Sequence, residues 1–572
     1  MHERGIQVRI VVVAAALFFA LAGLGARLAF LHLANHSKVT REYKCKLLGL
    51  RGRIFDCNGD RFPMAVSLPA RQFFLDPKAV KNEHDKRQIA KTVAEGLGLP
   101  ESEVLAKFSQ EDSRYIKLGV SLNDKVFDML SDPKHISGVG FEDQVCRSYP
   151  QGRRMSHVLG FVNDMGVGGA GIEQQFNRYL TGTPGLIESE VDAGRREIWS
   201  RRKVYVPAIA GSDLYLTLDH NIQYEVELAL KEVVEKFEAN GGWAIVQRVK
   251  TGEILAMASY PDFEPEHYTQ ETLDVWRNSA LAIVYEPGSI MKAVTVAAAL
   301  NERIVTPDTL LDAGEGCWMY AGKPLRDHVM GHISVSTALK KSSNIVCAKI
   351  GLMLGSKRLE AYLRAFNFGE KLGIELPGEE RGILARAKDW DKLKPTRVPI
   401  GQGVAVTGLQ MICAYSALAN NGVMMKPYIV SRIVSPRGET IFKATPEILG
   451  RPVRPEVARS VREMLVGVTE EGGTGKRASV PGYSVGGKTG TAQKAVPGGY
   501  SSTDYYASFV GFVPASDPVF SVLVSVERPR PQHTGGFVSA PAFAKIASAT
   551  ARYLEVPPDL PLEEEESVAN QP

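Results

Sequence analysis

The stretch from Ile10 to Ala26 (IVVVAAALFFALAGLGA) carries no charge, and it decides where the rest of the chain can fold. Arg4 and Arg9 stand just before it, and after Arg27 the apolar character resumes with Leu28, Ala29, Phe30 and Leu31. A helix through residues 10–32 can cross the roughly 30 Å hydrocarbon layer of a bilayer, with Arg27 near one end snorkelling its guanidinium to the interface. The flanking arginines predict that residues 1–9 are cytoplasmic and that everything after about residue 32 lies outside. A cleaved signal peptide is the competing reading, because Ala20-Leu21-Ala22 resembles a small-residue cleavage site. The apolar pattern continues past that site, which favours an uncleaved signal anchor. Both readings export the chain.

The chain beyond the anchor is too long for one ordinary core, and roughly two to four domains are expected in 572 residues. Hydrophobic residues at 44% and charged residues at 23% are the proportions of a globular protein rather than a disordered or fibrous one. A formal net charge of +4, with no basic stripe interleaved with aromatics, gives no reason to expect nucleic acid. Six cysteines (Cys45, Cys57, Cys146, Cys317, Cys347, Cys413) are scattered without the spacing of a metal site. Cys347 and Cys413 fall in apolar helical patterns and read as buried free thiols, while pairing among the others stays open.

Residues 45–210 form a mixed α/β segment rich in turn signals, such as Asn58-Gly59-Asp60. A linker over 206–211 then precedes a second pattern. Asp219 can cap a helix from about His220 to Phe237, with Ile222, Val226, Leu230, Val233 and Val234 on one face. The runs beginning at Trp243 and Glu253 read as strands joined by a hairpin at Lys250-Thr251-Gly252, and residues 507–513 and 519–526 as a second strand pair. Strands at both ends with helices between them predict an α+β domain over 211–552, its sheet closed by the two termini. The tail 553–572, with its run of glutamates from Glu563, reads as a solvated, disordered end.

Three short patterns can together carry serine acyl transfer: S-x-x-K, S-x-N and K-T-G, in that order. Each is weak alone, since about two S-x-x-K matches are expected by chance in a chain this size. Ser131–Lys134, Ser200–Lys203, Ser121–Asn123 and Lys250–Gly252 are such matches. Physical context separates them from the rest. The nucleophile and its lysine need to lie one helical turn apart at a helix N-terminus, where N–H groups favour developing negative charge. Ser289-Ile290-Met291-Lys292 meets this, with Pro287-Gly288 as the turn before it and 293–300 as a strong helix after it. Ser131 fails because Asp132-Pro133 is turn chemistry. Ser200 lies in a charged stretch with no apolar face, and Lys250 precedes every serine it could serve. The set is completed by Ser342-Ser343-Asn344, opening an apolar helix, and by Lys488-Thr489-Gly490-Thr491 on an expected strand.

These residues and their flanks resemble the class B penicillin-binding proteins, particularly the division-type branch. The resemblance extends over Arg277 to Ala280, Tyr285 to Ser289, Gly401 to Thr407 with Leu409 to Met411, Tyr506 to Pro514, and Gly535-Gly536 with Ala540-Pro541. Upstream, Arg51 to Asp56 and Ala170 to Glu173 are similar to blocks of that family's non-catalytic pedestal, or dimerisation, domain. Cys57, Ala293 and Gly408 depart from the usual pattern without touching a catalytic group. The fold implied is a transmembrane helix, a pedestal over 45–210 and a β-lactamase-like transpeptidase domain with a central antiparallel sheet flanked by helices.

The resemblance implies a peptidoglycan D,D-transpeptidase at the cytoplasmic membrane, its catalytic domain on the periplasmic or extracellular side. Ser289 would attack the D-Ala-D-Ala carbonyl of a stem peptide. Lys292 would be the base, its pKa depressed by burial and by a cationic neighbour such as Lys488. Ser342 would relay the proton to the leaving amine, and Asn344 would hold Lys292 and the substrate amide. Lys488, Thr489, Gly490 and Thr491 would form the carboxylate subsite, and the N–H groups of Ser289 and Thr491 the oxyanion hole. β-Lactams would be trapped as acyl-enzymes, with no cofactor or metal required. The partners implied are a polytopic SEDS-type (FtsW-like) glycosyltransferase and other division proteins. His328 and His533 read as ordinary surface or core histidines. Two rivals remain at this level: an acylated antibiotic sensor or β-lactamase, and a non-catalytic division scaffold.

Overall fold

The computed structural model describes residues 2–34, 41–110, 113–131, 138–192, 197–496 and 499–561. The glutamates of the acidic tail, and the Asp132-Pro133 turn, lie outside them. The N-terminal helix α1 (His2–Ala34) runs without interruption through Ala20–Ala22. Over Gly5–Leu33 it is long and apolar enough to cross a membrane, with its apolar side chains exposed throughout.

The remaining chain divides into two compact units that are interleaved in sequence. One comprises residues 1–50, 69–145 and 181–211. Within it, Arg41–Leu47, Gly185–Val191 and Val204–Val206 form a three-stranded antiparallel sheet. The helix Glu83–Leu97 starts at Asn82, whose side chain accepts the His84 N–H, and ends at Gly98 in the left-handed region. Its buried Ile89, Ala90 and Val93 pack with Phe73, Leu75, Val104 and Leu118 in a core of their own.

The second unit comprises residues 51–68, 146–180 and 212–572. The upstream blocks similar to the pedestal family are tied together here by charge. Glu173, wholly inaccessible, receives Arg51 Nε on one carboxylate oxygen and Arg147 Nε on the other, each at 2.6 Å. Arg51 Nη2 also donates to the Glu173 carbonyl at 2.7 Å, and Arg147 Nη1 to the Gly52 carbonyl at 2.8 Å. Three charges removed from water in this way hold because the carboxylate faces both guanidiniums, although Arg147 Nη2 is buried without a hydrogen-bond partner.

The expected capped helix is α2 (His220–Lys236), with the Asp219 carboxylate accepting the N–H groups of Asn221 and Ile222. It covers a five-stranded antiparallel sheet built from β1 (Gly241–Arg248), β2 (Ile254–Tyr260), β3 (Gly486–Val496), β4 (Gly499–Val513) and β5 (Phe520–Glu527). The spatial order is β2-β1-β5-β4-β3, so the first and last strands of this sheet in chain order meet at the β1–β5 pair, Val246 opposite Val522. That is the closure by termini expected from the sequence. A C-terminal helix, Gly535–Tyr553, packs with α2 on one face through Phe543, Ile546 and Ala547. The segment between β2 and β3 is mainly helical, as anticipated. It also carries small hairpins invisible to periodicity, among them Cys317–Tyr320 paired with Lys323–Arg326. All six cysteines are free, and Cys347 and Cys413 are buried. β3 is an edge strand, leaving one row of its backbone groups unpaired by the sheet.

Candidate active site

Ser289 sits in a single 3₁₀ turn, Gly288–Met291, that runs directly into helix α3 (Lys292–Asn301). Gly288 has φ +55°, and a Cβ there would lie 3.1 Å from the Thr491 carbonyl oxygen and 3.2 Å from Ala492 Cβ. Glycine is therefore required for the turn to lie against β3. From the other strand of the contact, a Cβ on Gly490 would meet Ile290 Cγ2 at 3.1 Å and the Pro287 carbonyl at 3.2 Å. The Gly288 N–H is held by the Gly401 carbonyl at 3.0 Å, and Tyr285 and Val406 exchange backbone hydrogen bonds at 2.9 and 2.8 Å. The Gly401–Thr407 block thus braces the lead-in to Ser289.

One turn on, Lys292 is fully buried, and its three ammonium donors are all engaged. They reach the Ser342 carbonyl at 2.6 Å, Ser342 Oγ at 3.1 Å and Asn344 Oδ1 at 2.8 Å. Ser342 adopts φ +59°, a conformation that a non-glycine residue adopts only under constraint. The constraint is visible. Ser343 caps helix α4 (Asn344–Leu354), accepting the Val346 N–H, and donates its hydroxyl to Asp327 Oδ2 at 2.5 Å. The same carboxylate oxygen accepts the Ile345 N–H at 2.9 Å. Sequence reasoning misses Asp327 and reaches only its neighbour His328. A buried acid sixteen residues before a serine leaves no periodic trace; the Arg326-Asp327-His328 charge cluster ahead of an apolar helix is the one signal.

Lys488 on β3 is also fully buried, with only weak donations to Thr489, at 3.3 Å to its carbonyl and 3.4 Å to its hydroxyl. Thr489 Oγ1 pairs with Thr474 Oγ1 at 2.9 Å, and Thr491 Oγ1 accepts the Gly535 N–H at 3.1 Å. A cavity of about 880 Å³ is lined by Ser289, Ser342, Asn344, Thr489 and Thr491. Burial lowers the Lys292 pKa to about 8, opposed by the nearby Cys347 and Asp327. Burial also lowers Lys488, well below the ordinary lysine value, and the Lys292 charge lowers it further. Each buried amine disfavours the charge on the other, and Lys488 is the one with the poorer hydrogen bonds. At the cleft rim Glu286 Oε1 accepts the Gly403 N–H and the Tyr500 hydroxyl, at 2.8 and 3.1 Å.

The decoys are dispersed. Ser200 lies in the short turn Trp199–Arg201 and Ser121 ends the strand Ile116–Ser121, both in the first unit. Lys250-Thr251-Gly252 is the hairpin turn between β1 and β2, with Lys250 paired to Asp517. His533 stacks on Tyr505, and His328 lines the cleft with its side chain mostly exposed. One group with metal-ligand spacing occurs among the described residues, Asp56, Asp219 and His220. Its carboxylates are already taken up by Asn58, by His220, by the α2 N-terminus and by the Tyr553 hydroxyl.

A sequence description of the penicillin-binding protein transpeptidase domain matches residues 242–548, and one of the penicillin-binding protein dimerisation domain matches residues 46–216. The chain belongs to the penicillin-binding protein transpeptidase family. Among curated relatives it is 33% identical to the stage V sporulation protein D of Bacillus subtilis, over 89% of this chain and 79% of that protein. It is 29% identical to the peptidoglycan D,D-transpeptidase FtsI of Escherichia coli K12, over 98% and 94%. Penicillin-binding protein 3 of Mycobacterium tuberculosis, solved with aztreonam, superposes with a TM-score of 0.70 at 27% identity, covering 91% of this chain and 99% of that one. With a dimerisation domain preceding the transpeptidase domain, this is a class B penicillin-binding protein of the division type.

Asp327 acts on the family's central serine motif through two hydrogen bonds and through charge. Asp327→Asn is expected to lower the rate of penicillin acylation about tenfold, by loosening Ser342 and Asn344. Because the carboxylate pulls the Lys292 pKa upward, the acid limb of the rate profile should also move to lower pH. A stopped-flow pH series reads both; a rate loss with an unmoved limb would leave Asp327 only its anchoring role.

Proposed function

We propose that this protein is a peptidoglycan D,D-transpeptidase of the division type that works through a serine acyl-enzyme, with its catalytic domain outside the cytoplasmic membrane. The observation that carries the reading is the set of Lys292 hydrogen bonds, which join the S-x-x-K and S-x-N segments at the cleft that the K-T-G strand also lines. Lys292, in its neutral form, takes the proton from Ser289 Oγ as the oxygen attacks the carbonyl carbon of the penultimate D-alanine. The oxyanion is received by the backbone N–H groups of Ser289 and Thr491; losing one such donor typically costs about 100- to 1,000-fold in rate. As the C–N bond breaks, the proton passes through Ser342 to the departing amine. The terminal carboxylate is taken by Lys488, Thr489 and Thr491, and an amine from a neighbouring strand then attacks the ester to form the cross-link.

A β-lactam presents the same carbonyl, but its leaving amine stays tethered, so the ester persists. Among the described residues lining the cleft, Glu286 is the only carboxylate, and its Oε1 accepts two hydrogen bonds at the rim. A SEDS-type glycosyltransferase and other division proteins are the partners this reading implies. The test is peptide mass spectrometry of the β-lactam-treated protein. One adduct at Ser289 is expected, and none in Ser289→Ala; labelling that survives the substitution would reject the assignment.

A further inference from the structure

The charges lining the cleft are unbalanced. Arg326, Arg397, Lys476 and Arg477 face it against the single carboxylate of Glu286. Lys476 is paired with Glu471, and Arg477 lies over the Phe537 ring at 3.4 Å. Arg397 differs from both. One of its terminal nitrogens, Nη2, donates to the Pro324 carbonyl at 3.2 Å. The other, Nη1, is shut off from solvent without any hydrogen-bond partner, and no carboxylate among the described residues pairs with the guanidinium. A buried, unsatisfied edge of a cation is costly, and that cost is recovered when a matching anion arrives.

The course of a bound peptide places this cation. Thr491 lies beside Gly288 and hence beside Ser289, and Thr489 and Lys488 precede it on β3. In the transpeptidase reading above, the leaving D-alanine and its carboxylate occupy the Lys488–Thr489 end. Residues upstream of the scissile carbonyl must then extend the other way, toward Gln493 and Tyr500. Arg397 borders that end: its carbonyl accepts the Gln402 N–H at 3.0 Å, in the same turn whose Gly401 holds Gly288 and whose Gly403 holds Glu286. The residue just before the D-alanine pair, at about 3.3 Å per residue along an extended chain, brings its side chain into this region.

We propose that Arg397 reads a carboxylate on the donor, and that the stem peptide taken by this enzyme carries a free side-chain carboxylate on the residue immediately before D-Ala-D-Ala. A diaminodicarboxylic acid residue has that group; a lysine does not. The inference rests on the acyl-transfer reading, yet it fails separately from it.

The experiment uses the full chain in detergent and two pentapeptides ending in D-Ala-D-Ala. One has meso-diaminopimelate as its third residue, and the other its side-chain carboxamide. Each peptide is scored by the concentration that halves the rate of fluorescent-penicillin labelling. The acid is expected to protect at about a tenfold lower concentration than the carboxamide. Arg397→Met should bring the two within about twofold, and Arg397→Lys should keep part of the preference. Equal protection by both peptides, protection by neither at millimolar concentration, or a preference that survives in Arg397→Met would each overturn the proposal. If Arg397→Met no longer labels, the lysine variant and the wild-type comparison decide it. Absence of penicillin labelling in the wild type would instead remove the acyl-enzyme reading, and this inference with it.

Discussion

Lys292→Ala is expected to slow penicillin acylation of Ser289 by about 100- to 10,000-fold, the range that a positioned general base contributes. The ammonium form cannot accept a proton, because its nitrogen has no free lone pair; its three N–H donors go to Ser342 and Asn344. Acylation in the unmodified enzyme should therefore rise with pH and level off above about 8, where the buried amine becomes neutral. The sign comes from burial: removing water disfavours the charged form, so the amine ionises below the ordinary lysine range. In Lys292→Ala both the rate and this inflection should vanish together. A residual rate that still titrated near pH 8 would move the base elsewhere, with Lys488 the first alternative. Rapid-quench acylation across the neutral to alkaline range measures both quantities.

Glu173→Ala should destabilise the fold by about 3–5 kcal/mol, although it lies in no catalytic motif. The substitution leaves Arg51 and Arg147 facing one another in a nearly inaccessible site, having lost the carboxylate that both approach at 2.6 Å. Breaking one member of a buried ionic cluster costs more than the cluster's net worth, because the remaining charges have nowhere to go. The denaturant midpoint at which penicillin labelling is lost reports the catalytic unit directly. An unchanged midpoint would mean that water or a rearranged side chain reaches the two guanidiniums.

How much of the molecule is legible in its sequence depends on how far apart the interacting residues lie. Helix α2, with its cap at Asp219 and its apolar face, is legible because every determinant falls within a few turns. The strand pairs at either end of the catalytic domain are legible from alternation and a turn. Ser289 and Lys292 can be chosen over Ser131 and Ser200 because a helix start has local chemistry. Local pattern does not carry Asp327, which acts on Ser343 through a fold that brings a hairpin beneath a helix cap. Nor does it carry Arg397, whose meaning is the acceptor it lacks. The motifs name Lys292 and Lys488 as a pair, but the burial that lowers both amines is a property of the packed site.

The two compact units exchange the polypeptide repeatedly, with the second gathering residues 51–68 and 146–180 before it takes up the chain from 212. Such a protein cannot be shuffled like beads on a string. A recombination event that joins a foreign catalytic segment at residue 211 would import Asp219 and Trp243 while leaving Arg51, Arg147 and Glu173 from another ancestor. Recombination between related genes should therefore favour crossover points that keep those early and late segments from the same parent.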